Sequence, residues 1–254
     1  MDVHNSVALY DWSTGSDTLS FVSSKSSQSS DGTPPRAAPR CKLIASQRSG
    51  REKVLCCAAP PLLPVEERGT QGESNQNKKT FVTGGEGGVM LFWDFTASQL
   101  QFKRGVYGKT GATVTMLSLG FRPDGHVVTG SADGRLYVWQ GRTLSRVIHA
   151  TPSSAILSLY STPPGASSKM GQRKRGGGIV SGSADGRIRV WDSGDNMRPG
   201  ALFSTADLGS YRPSVSSLCW DVARDLLLIG TRGAEVYEIN SSDGSDQHGG
   251  PLAQ

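Results

Sequence analysis

The chain has 254 residues, and its 27 lysine and arginine residues outnumber its 22 aspartate and glutamate residues, for a net charge of +5. This excess permits an acidic partner but is too small to indicate nucleic-acid binding. No apolar run has the length of a membrane span, and no N-terminal run has the length of a signal peptide, so we expect a cytoplasmic protein with no membrane partner.

The cysteines carry no metal-binding pattern. None of the four forms a CxxC pair, and two of them are adjacent in an apolar stretch that predicts a strand: Cys41, Cys56, Cys57 and Cys219. Small buried thiols are the interpretation we favour, and we predict no bound metal and no cofactor.

In chain order, the first predicted element is the short strand VALYDW at Val7–Trp12, which is half of a pattern that then recurs four times. The full copies are FVTGGEGGVMLFWDF, VVTGSADGRLYVWQG, IVSGSADGRIRVWDS and LLLIGTRGAEVYEIN. They align on glycines spaced 46, 52 and 48 residues apart, namely Gly84, Gly130, Gly182 and Gly230. Nine residues after each glycine stands a large side chain, in turn Trp93, Trp139, Trp191 and Ile239.

Each copy predicts a β-hairpin. A β-branched run such as VVTGS meets the turn ADG, and an alternating run such as RLYVW follows. Asp-Gly between two such runs is a strong hairpin signal, because glycine adopts positive φ without steric cost. In RLYVW, Leu136 and Val138 share one face while Arg135, Tyr137 and Trp139 share the other, so we expect a strand with one buried face.

Further strand candidates lie between the hairpins. First strands are predicted at 113–121, 155–161 and 215–221, and an outer strand at 143–150. Four strands in each repeat of 40 to 50 residues are typical of a propeller blade of the Trp-Asp (WD40) type. A β-sandwich with accidental repeats is the weaker alternative, because the turn SADGR recurs unchanged. We therefore predict an all-β propeller with about four blades, as part of a larger or incomplete propeller.

The predicted organisation interrupts the blades with polar segments. Residues 1–22 hold the partial blade strand, 23–40 form a low-complexity linker, and 41–240 form the blades. Long loops are expected at 60–79 and 162–178, each between a first and a second strand, and a disordered tail at 241–254.

The repeated polar and aromatic residues are interpreted as structural. Asp133 and Asp185 are predicted to accept hydrogen bonds within their turns, as part of a network that includes the blade tryptophan. The predicted blade residues are Asp133, Asp185, Trp93, Trp139, Trp191, Gly84, Gly130, Gly182 and Gly230. His149 is the nearest candidate for a histidine partner. No hydrolase or nucleotide-binding motif occurs, so we predict that the chain is not an enzyme.

A more specific resemblance lies in the segments around the repeats. The connection Lys103–Lys109 (KRGVYGK) after the strand ending in FW, the early VALYDW and the late LLLIGTRGAEVYEIN occur in the order found in the echinoderm microtubule-associated protein-like family. The chain resembles that family from Val7 to about Asn240. The family's hydrophobic sealing motif and N-terminal coiled coil are absent from this sequence.

The resemblance implies a protein-interaction module that associates with tubulin and microtubules and is located on the cytoskeleton. Tubulin tails are acidic, so the densest basic cluster, Lys169, Arg173, Lys174 and Arg175, is a candidate contact, although a solvated Gly-rich loop is the interpretation we favour. The alternative function is a general WD40 scaffold, or a substrate-recruiting subunit, with no microtubule role.

Overall fold

The computed structural model describes residues 6–13, 40–48, 53–60, 79–96, 99–107, 114–122, 124–161, 178–192, 196–221, 224, 226–240 and 243–252. Within these ranges the chain forms seventeen β-strands and a short 3-10 turn at Glu86–Gly88. The strands are β1 (Ser6–Ser13), β2 (Arg40–Arg48), β3 (Val54–Ala58), β4 (Lys79–Gly85), β5 (Met90–Thr96), β6 (Gln99–Arg104), β7 (Met116–Phe121), β8 (Val127–Ser131), β9 (Arg135–Gln140), β10 (Thr143–His149), β11 (Ile156–Ser161), β12 (Ile179–Ser183), β13 (Arg187–Trp191), β14 (Pro199–Ser204), β15 (Val215–Asp221), β16 (Leu226–Thr231) and β17 (Val236–Asn240).

The strands group into antiparallel sheets of consecutive elements. β1 pairs with β2, and the remaining strands form the first blade (β3–β6), the second (β7–β10), the third (β11–β14) and the fourth (β15–β17). Each strand pairs with its neighbours in sequence, which is the up-and-down order of a propeller blade. The prediction of an all-β propeller segment with about four blades is confirmed.

The repeated turns have the predicted geometry. In the second blade β8 and β9 pair from Val127 opposite Trp139 to Gly130 opposite Leu136. Gly134 and Gly186 close their turns with φ of 79° and 83°, the left-handed region that the Asp-Gly pattern predicts. In the fourth blade the same position is Ala234, which adopts φ of 63° with a side chain present.

The expectation of a single buried face on the third strand is wrong. Leu136 and Trp139 point to opposite faces of β9, yet each is 0% exposed. Leu136 packs in a cluster with Ile156 and Trp191 of the third blade, whereas Trp139 packs with Met116 and with Val82 of the first. Because a middle blade is covered by a neighbour on each side, both of its faces are core, and alternation no longer separates buried from exposed positions.

Neighbouring blades approach each other closely at the repeated glycine. A methyl group on Gly130 would lie 2.5 Å from Cγ2 of Ile156, and one on Gly182 would lie 2.4 Å from Cγ1 of Val215. Ile156 and Val215 each begin the first strand of the following blade. The glycine is therefore retained because the next blade fills the space that a side chain would occupy.

Two other predictions need correction. The tail from residue 241 is predicted to be disordered, but residues 243–252 run beside β17, with the amide of Gln247 donating to the Glu238 carbonyl at 3.1 Å and that of Leu252 to the Val236 carbonyl at 2.6 Å. β17 offers an outer edge with free backbone groups, and the tail satisfies some of them. The cysteines were expected to be buried, but Cys57 and Cys219 are exposed because they lie on sheet faces without a covering blade.

The glycine contact predicts different effects of one substitution at two equivalent positions. Gly182→Ala should lower the free energy of unfolding by about 1–3 kcal/mol, because its methyl group overlaps Val215. Gly230→Ala should change it by less than about 0.5 kcal/mol, since the nearest atom there is the Ser217 hydroxyl, which can rotate away. Urea unfolding measures both values, and equal losses would contradict the proposed role of the contact.

The strained turn predicts a stabilising substitution. Ala234→Gly should raise the free energy of unfolding by about 1 kcal/mol, because φ of 63° is unfavourable for a residue with a Cβ atom. Ala132→Gly is the matched control, as Ala132 lies in the second blade's turn outside the left-handed region, and it should not stabilise. Thermal denaturation measures the stability of both variants. A lower stability of Ala234→Gly than of the wild type would show that the backbone at Ala234 is not strained.

Candidate functional site

The turns between the second and third strands form one face of the molecule, here called the turn rim (residues 86–88, 132–134, 184–186 and 232–234). A backbone hydrogen bond anchors each turn to the residue before its own blade's first strand. The bonds run from Glu86 to Lys53 at 3.0 Å, Ala132 to Thr115 at 3.0 Å, Ala184 to Ala155 at 2.9 Å and Arg232 to Ser214 at 2.9 Å. The turn rim is therefore a regular surface that a rigid scaffold holds in place.

The two repeated aspartates stabilise their turns. Asp133 accepts hydrogen bonds from the Ser131 hydroxyl and from the Arg135 amide at 3.3 Å, and its carboxylate lies 3.3 Å from Nε of Arg135. Asp185 makes the same bonds with Ser183 and Arg187. Their carboxylates thus accept hydrogen bonds within the turn.

The fourth blade fills this role with a different residue. Gly233 takes the aspartate position, and Glu235, two residues later, accepts from the Thr231 hydroxyl at 2.9 Å and the Tyr211 amide at 3.1 Å. The Ser210 hydroxyl also donates to it. These bonds, that from Ser210 first, lower the pKa of the Glu235 carboxyl group. The sequence alignment alone did not reveal Glu235, because its position differs by two residues.

The blade tryptophans are structural anchors with a separate hydrogen bond. The indole of Trp93 donates to Thr83 at 2.9 Å, that of Trp139 to Thr129 at 3.3 Å and that of Trp191 to Ser181 at 2.8 Å. Each tryptophan is at most 1% exposed. In each case the indole N–H donates to a hydroxyl ten residues earlier in the chain.

His149 lies on the turn rim rather than beside an indole. It is exposed and lines a surface depression of about 350 Å³ together with Asp133, Arg135, Thr151, Pro152 and Ser153. Thr151, two residues further on, donates to the Ser154 carbonyl at 2.7 Å and thereby closes the loop between the second and third blades. The depression is open to solvent and lined by polar and small side chains.

The KRGVYGK connection ties the first blade to the second. The Val106 amide donates to the Arg142 carbonyl at 2.7 Å, and the Tyr107 ring meets Trp139 edge to face with centroids 4.8 Å apart. A methyl group on Gly105 would lie 2.9 Å from the Trp139 ring. The connection is therefore part of the packing, and its glycine and tyrosine are explained by contact with Trp139.

The strand ends that flank the two predicted long loops lie on the face opposite the turn rim, here called the loop rim (Ala58, Lys79, Ser161 and Ile179). The predicted loop at 60–79 follows β3, and that at 162–178 follows β11, where Ser161 pairs with Ile179. The basic cluster Lys169, Arg173, Lys174 and Arg175 lies outside the described residues. The described residues that flank this cluster in the sequence, Ser161 and Ile179, lie on the adjacent strands β11 and β12 of the third blade.

The described residues show few groups suited to catalysis. Burial raises the pKa of the Cys56 thiol to about 12, so this thiol is protonated at neutral pH and is a poor nucleophile. No cluster of three metal-binding side chains occurs in the part of the chain that the structure describes. That part also forms no helix with the length and apolar character that crossing a membrane requires.

Comparison with known families identifies the repeats. The model described as "WD domain, G-beta repeat" matches residues 101–140 and 143–192. Among solved structures, the crystal structure of Saccharomyces cerevisiae Sqt1 aligns with a TM-score of 0.60 over 82% of this chain and 53% of that chain. The two sequences are 15% identical, so this likeness shows the fold alone.

Curated relatives support the family resemblance. Two proteins called 77 kDa echinoderm microtubule-associated protein, from Strongylocentrotus purpuratus and Lytechinus variegatus, are each 29% identical over 120 residues, or 46% of this chain. The ciliary WD repeat-containing protein ctxp80 of Euplotoides octocarinatus is 24% identical over 149 residues, or 59% of this chain. These matches span 15%, 16% and 18% of the relatives' own lengths.

Glu235 predicts a pH-dependent loss of stability. Because its pKa is lowered on folding, its contribution is present above the unfolded pKa and is lost as the pH falls through the folded value. Glu235→Gln should cost about 1 kcal/mol at pH 7, and its difference from the wild type should shrink between pH 5 and pH 3. Urea unfolding across this range measures the difference. Glu86→Gln is the control, because the Glu86 side chain is 46% exposed, and a difference from the wild type that stays constant with pH would contradict the assignment.

Proposed function

Because this chain carries WD40 repeats and resembles the echinoderm microtubule-associated proteins, we propose that it is a non-catalytic interaction module that associates with microtubules through its loop rim. The support for a microtubule partner is the name of the relatives, each 29% identical over 46% of this chain. The propeller contributes rigidity, since its blades hold loops in fixed positions on two opposite rims.

The observation that carries the loop-rim assignment is the attachment of the basic segment. The sequence SKMGQRKRGGG contributes Lys169, Arg173, Lys174 and Arg175 within a loop whose ends, Ser161 and Ile179, are paired neighbours in the third blade. Four positive charges within one short segment attract an acidic polymer such as the tubulin tails, and we expect salt to weaken that attraction.

A general scaffold function is the second candidate, and it uses the turn rim. Tyr211, in the segment that leads to the fourth blade, is 85% exposed, and its amide donates to Glu235 beside the fourth turn. Arg212 follows it in the chain and Arg232 lies in that turn, and both arginines are exposed. Tyrosine and arginine are enriched at the centres of protein interfaces, so this group favours a folded protein partner without any microtubule.

Co-pelleting with stabilised microtubules distinguishes the candidates. The full chain should pellet at low salt and be released as salt rises, and Arg173, Lys174 and Arg175 changed together to Gln should weaken binding roughly tenfold. The matched control removes three positive charges from the turn rim and its loops, by changing Arg187, Arg212 and Arg232 to Gln. Microtubules with their acidic tails removed by protease should bind the wild type as weakly as intact ones bind the loop variant.

Three results would overturn the proposal in different ways. A folded chain that stays in the supernatant at low salt has no microtubule function, and the scaffold function is then favoured. If both triple variants lose microtubule affinity equally, the binding depends on net positive charge and not on the loop rim. Unchanged binding to tail-cleaved microtubules places the contact on the microtubule body instead of the acidic tails.

A further inference from the structure

The first three turns of the turn rim are electrically balanced. In the second and third turns, the aspartate lies 3.3 Å and 3.6 Å from the arginine that follows it by two residues. In the first turn, Glu86 lies 3.6 Å from Lys53. At each of these turns a carboxylate and a cation therefore offset each other, and an external ligand meets no excess charge.

The fourth turn lacks this balance. Arg232 stands where the second and third turns have alanine, and Gly233 stands where they have aspartate. The carboxylate of this blade belongs to Glu235, which is buried and accepts three hydrogen bonds from neighbouring groups. Within the described part of the chain, no hydrogen bond or ion pair engages the guanidinium of Arg232, which is exposed.

Arg212 adds a second positive charge beside this turn. A methyl group on Gly233 would lie 3.2 Å from the Cβ atom of Arg212, so the two segments are in contact. Arg212 is exposed, and its guanidinium likewise bonds to none of the residues that the structure describes. Because a guanidinium carries five N–H donors, the two arginines can bind carboxylates in a bidentate geometry.

Tyr211 places an aromatic ring next to Arg212. It is 85% exposed, whereas no other large apolar or aromatic side chain among the described residues exceeds 48%. The backbone of Tyr211 is nevertheless fixed, because its amide donates to Glu235 at 3.1 Å. An exposed ring on a fixed backbone contacts a partner at a low cost in conformational entropy.

An enlarged loop carries Tyr211. Before the third blade, Thr151 closes the loop by donating to the carbonyl three residues later, at 2.7 Å. Before the fourth blade, the equivalent Thr205 donates to the Pro213 carbonyl, eight residues later, at 2.6 Å. The Ser210 amide donates to the Thr205 carbonyl at 3.2 Å, so the added residues form a closed turn. Blade stacking does not require them, since the second and third blades stack with the shorter loop.

The exposure of this surface is a property of the rim and is independent of which blade faces are covered. Ala132 and Ala184 hold the position of Arg232 in blades that have a neighbour on each side, and both are exposed. Pro152, which holds the position of Tyr211 in the loop before the third blade, is exposed as well. Side chains at these positions therefore remain accessible when a blade is flanked on both sides.

We propose that Tyr211, Arg212 and Arg232, here called the fourth-turn patch, bind an acidic segment of a partner protein that carries an aromatic residue between its carboxylates. The carboxylates accept hydrogen bonds from the two guanidinium groups, and the aromatic residue packs against the ring of Tyr211. This inference rests on the scaffold function proposed for the turn rim and names the chemistry of its partner. Because the patch and the loop rim lie on opposite faces, one chain can hold this partner and a microtubule together.

The surrounding charges favour a short acidic protein segment over a nucleic acid. The neighbouring third turn adds the pair Asp185 and Arg187, which contributes no net charge. Asp207 is exposed in the enlarged loop, so two arginines face one accessible carboxylate. A nucleic-acid backbone gains affinity from a row of cations, and the balanced turns on this rim supply no such row.

Labelled peptides test the patch by fluorescence anisotropy with the full chain. The probe has a phenylalanine between two pairs of glutamates. One control peptide replaces the glutamates with glutamines, and the other replaces the phenylalanine with alanine. The wild type should bind the probe at least about fivefold more tightly than either control peptide, and added salt should weaken the binding.

Substitutions assign the binding to the three side chains. Arg212→Gln, Arg232→Ala and Tyr211→Ala should each weaken probe binding roughly three- to fivefold, whereas Tyr211→Phe keeps the ring and should retain it. Arg232→Ala introduces the residue that the second and third turns already carry, so the turn should keep its fold. A cooperative thermal melt confirms folding of each variant.

Two further variants are matched charge controls. Arg135→Gln removes a turn-rim charge that Asp133 already balances at 3.3 Å, and it should leave probe binding unchanged. Asp207→Asn removes the accessible carboxylate of the enlarged loop and should strengthen probe binding about twofold. Equal losses in Arg135→Gln and Arg212→Gln would show that binding follows net charge, and this result overturns the proposal.

The remaining outcomes separate this proposal from the scaffold function. If no peptide binds at about 1 mM, the proposal is overturned, while the co-pelleting result still decides the scaffold function. Equal binding of the glutamine peptide overturns the acidic partner and leaves a partner that contacts Tyr211 without charge. A labelled single-stranded oligouridine that binds more tightly than the acidic probe, and loses affinity in Arg212→Gln, identifies a nucleic-acid surface and also overturns the proposal.

Discussion

The architecture depends on a single steric constraint, the contact between a glycine in one blade and the first residue of the next. A Cβ atom at Gly130 or Gly182 would lie within 2.5 Å of the following blade. That spacing lets Ile156 and Val215 be fully buried and brings the large apolar faces of adjacent blades together. The remaining features, including hairpin register, turn anchoring and the connection at Gly105, are arranged around this stacking.

Inside the blades, a hydrogen-bond donor and its acceptor are either both present or both replaced. Where the third strand ends in tryptophan, a hydroxyl ten residues earlier accepts its indole proton, as Thr129 does for Trp139. In the fourth blade both positions are isoleucine, Ile229 and Ile239, and both are 0% exposed. Replacing both partners avoids leaving a buried polar group unpaired, so the fourth blade loses the bond without its main cost. The turn carboxylate likewise moves from the aspartate position to Glu235, whose oxygens still close the turn.

The same stacking separates two surfaces with different chemical character. The turn rim is fastened by backbone hydrogen bonds and by carboxylates that are already paired, and it exposes Tyr211 and arginine side chains. The loop rim carries the paired strand ends Ser161 and Ile179, between which the basic segment lies in the sequence. A propeller with these properties supports binding at either rim while its blades stay unchanged, and this separation makes the two candidate functions independently testable.

The sequence by itself determined the blade unit, because hairpin pattern, turn chemistry and the glycine spacing are local properties of the chain. It identified the turn aspartates, the tryptophan anchors and the strands around them, and the resemblance to one family. Only the tertiary structure decided which faces are buried, since Leu136 and Trp139 are both covered by neighbours that lie tens of residues away. It also showed that Glu235 replaces the turn aspartate and that the tail pairs with β17. These features depend on contacts between distant segments, and alternation and turn patterns carry no information about which segments meet.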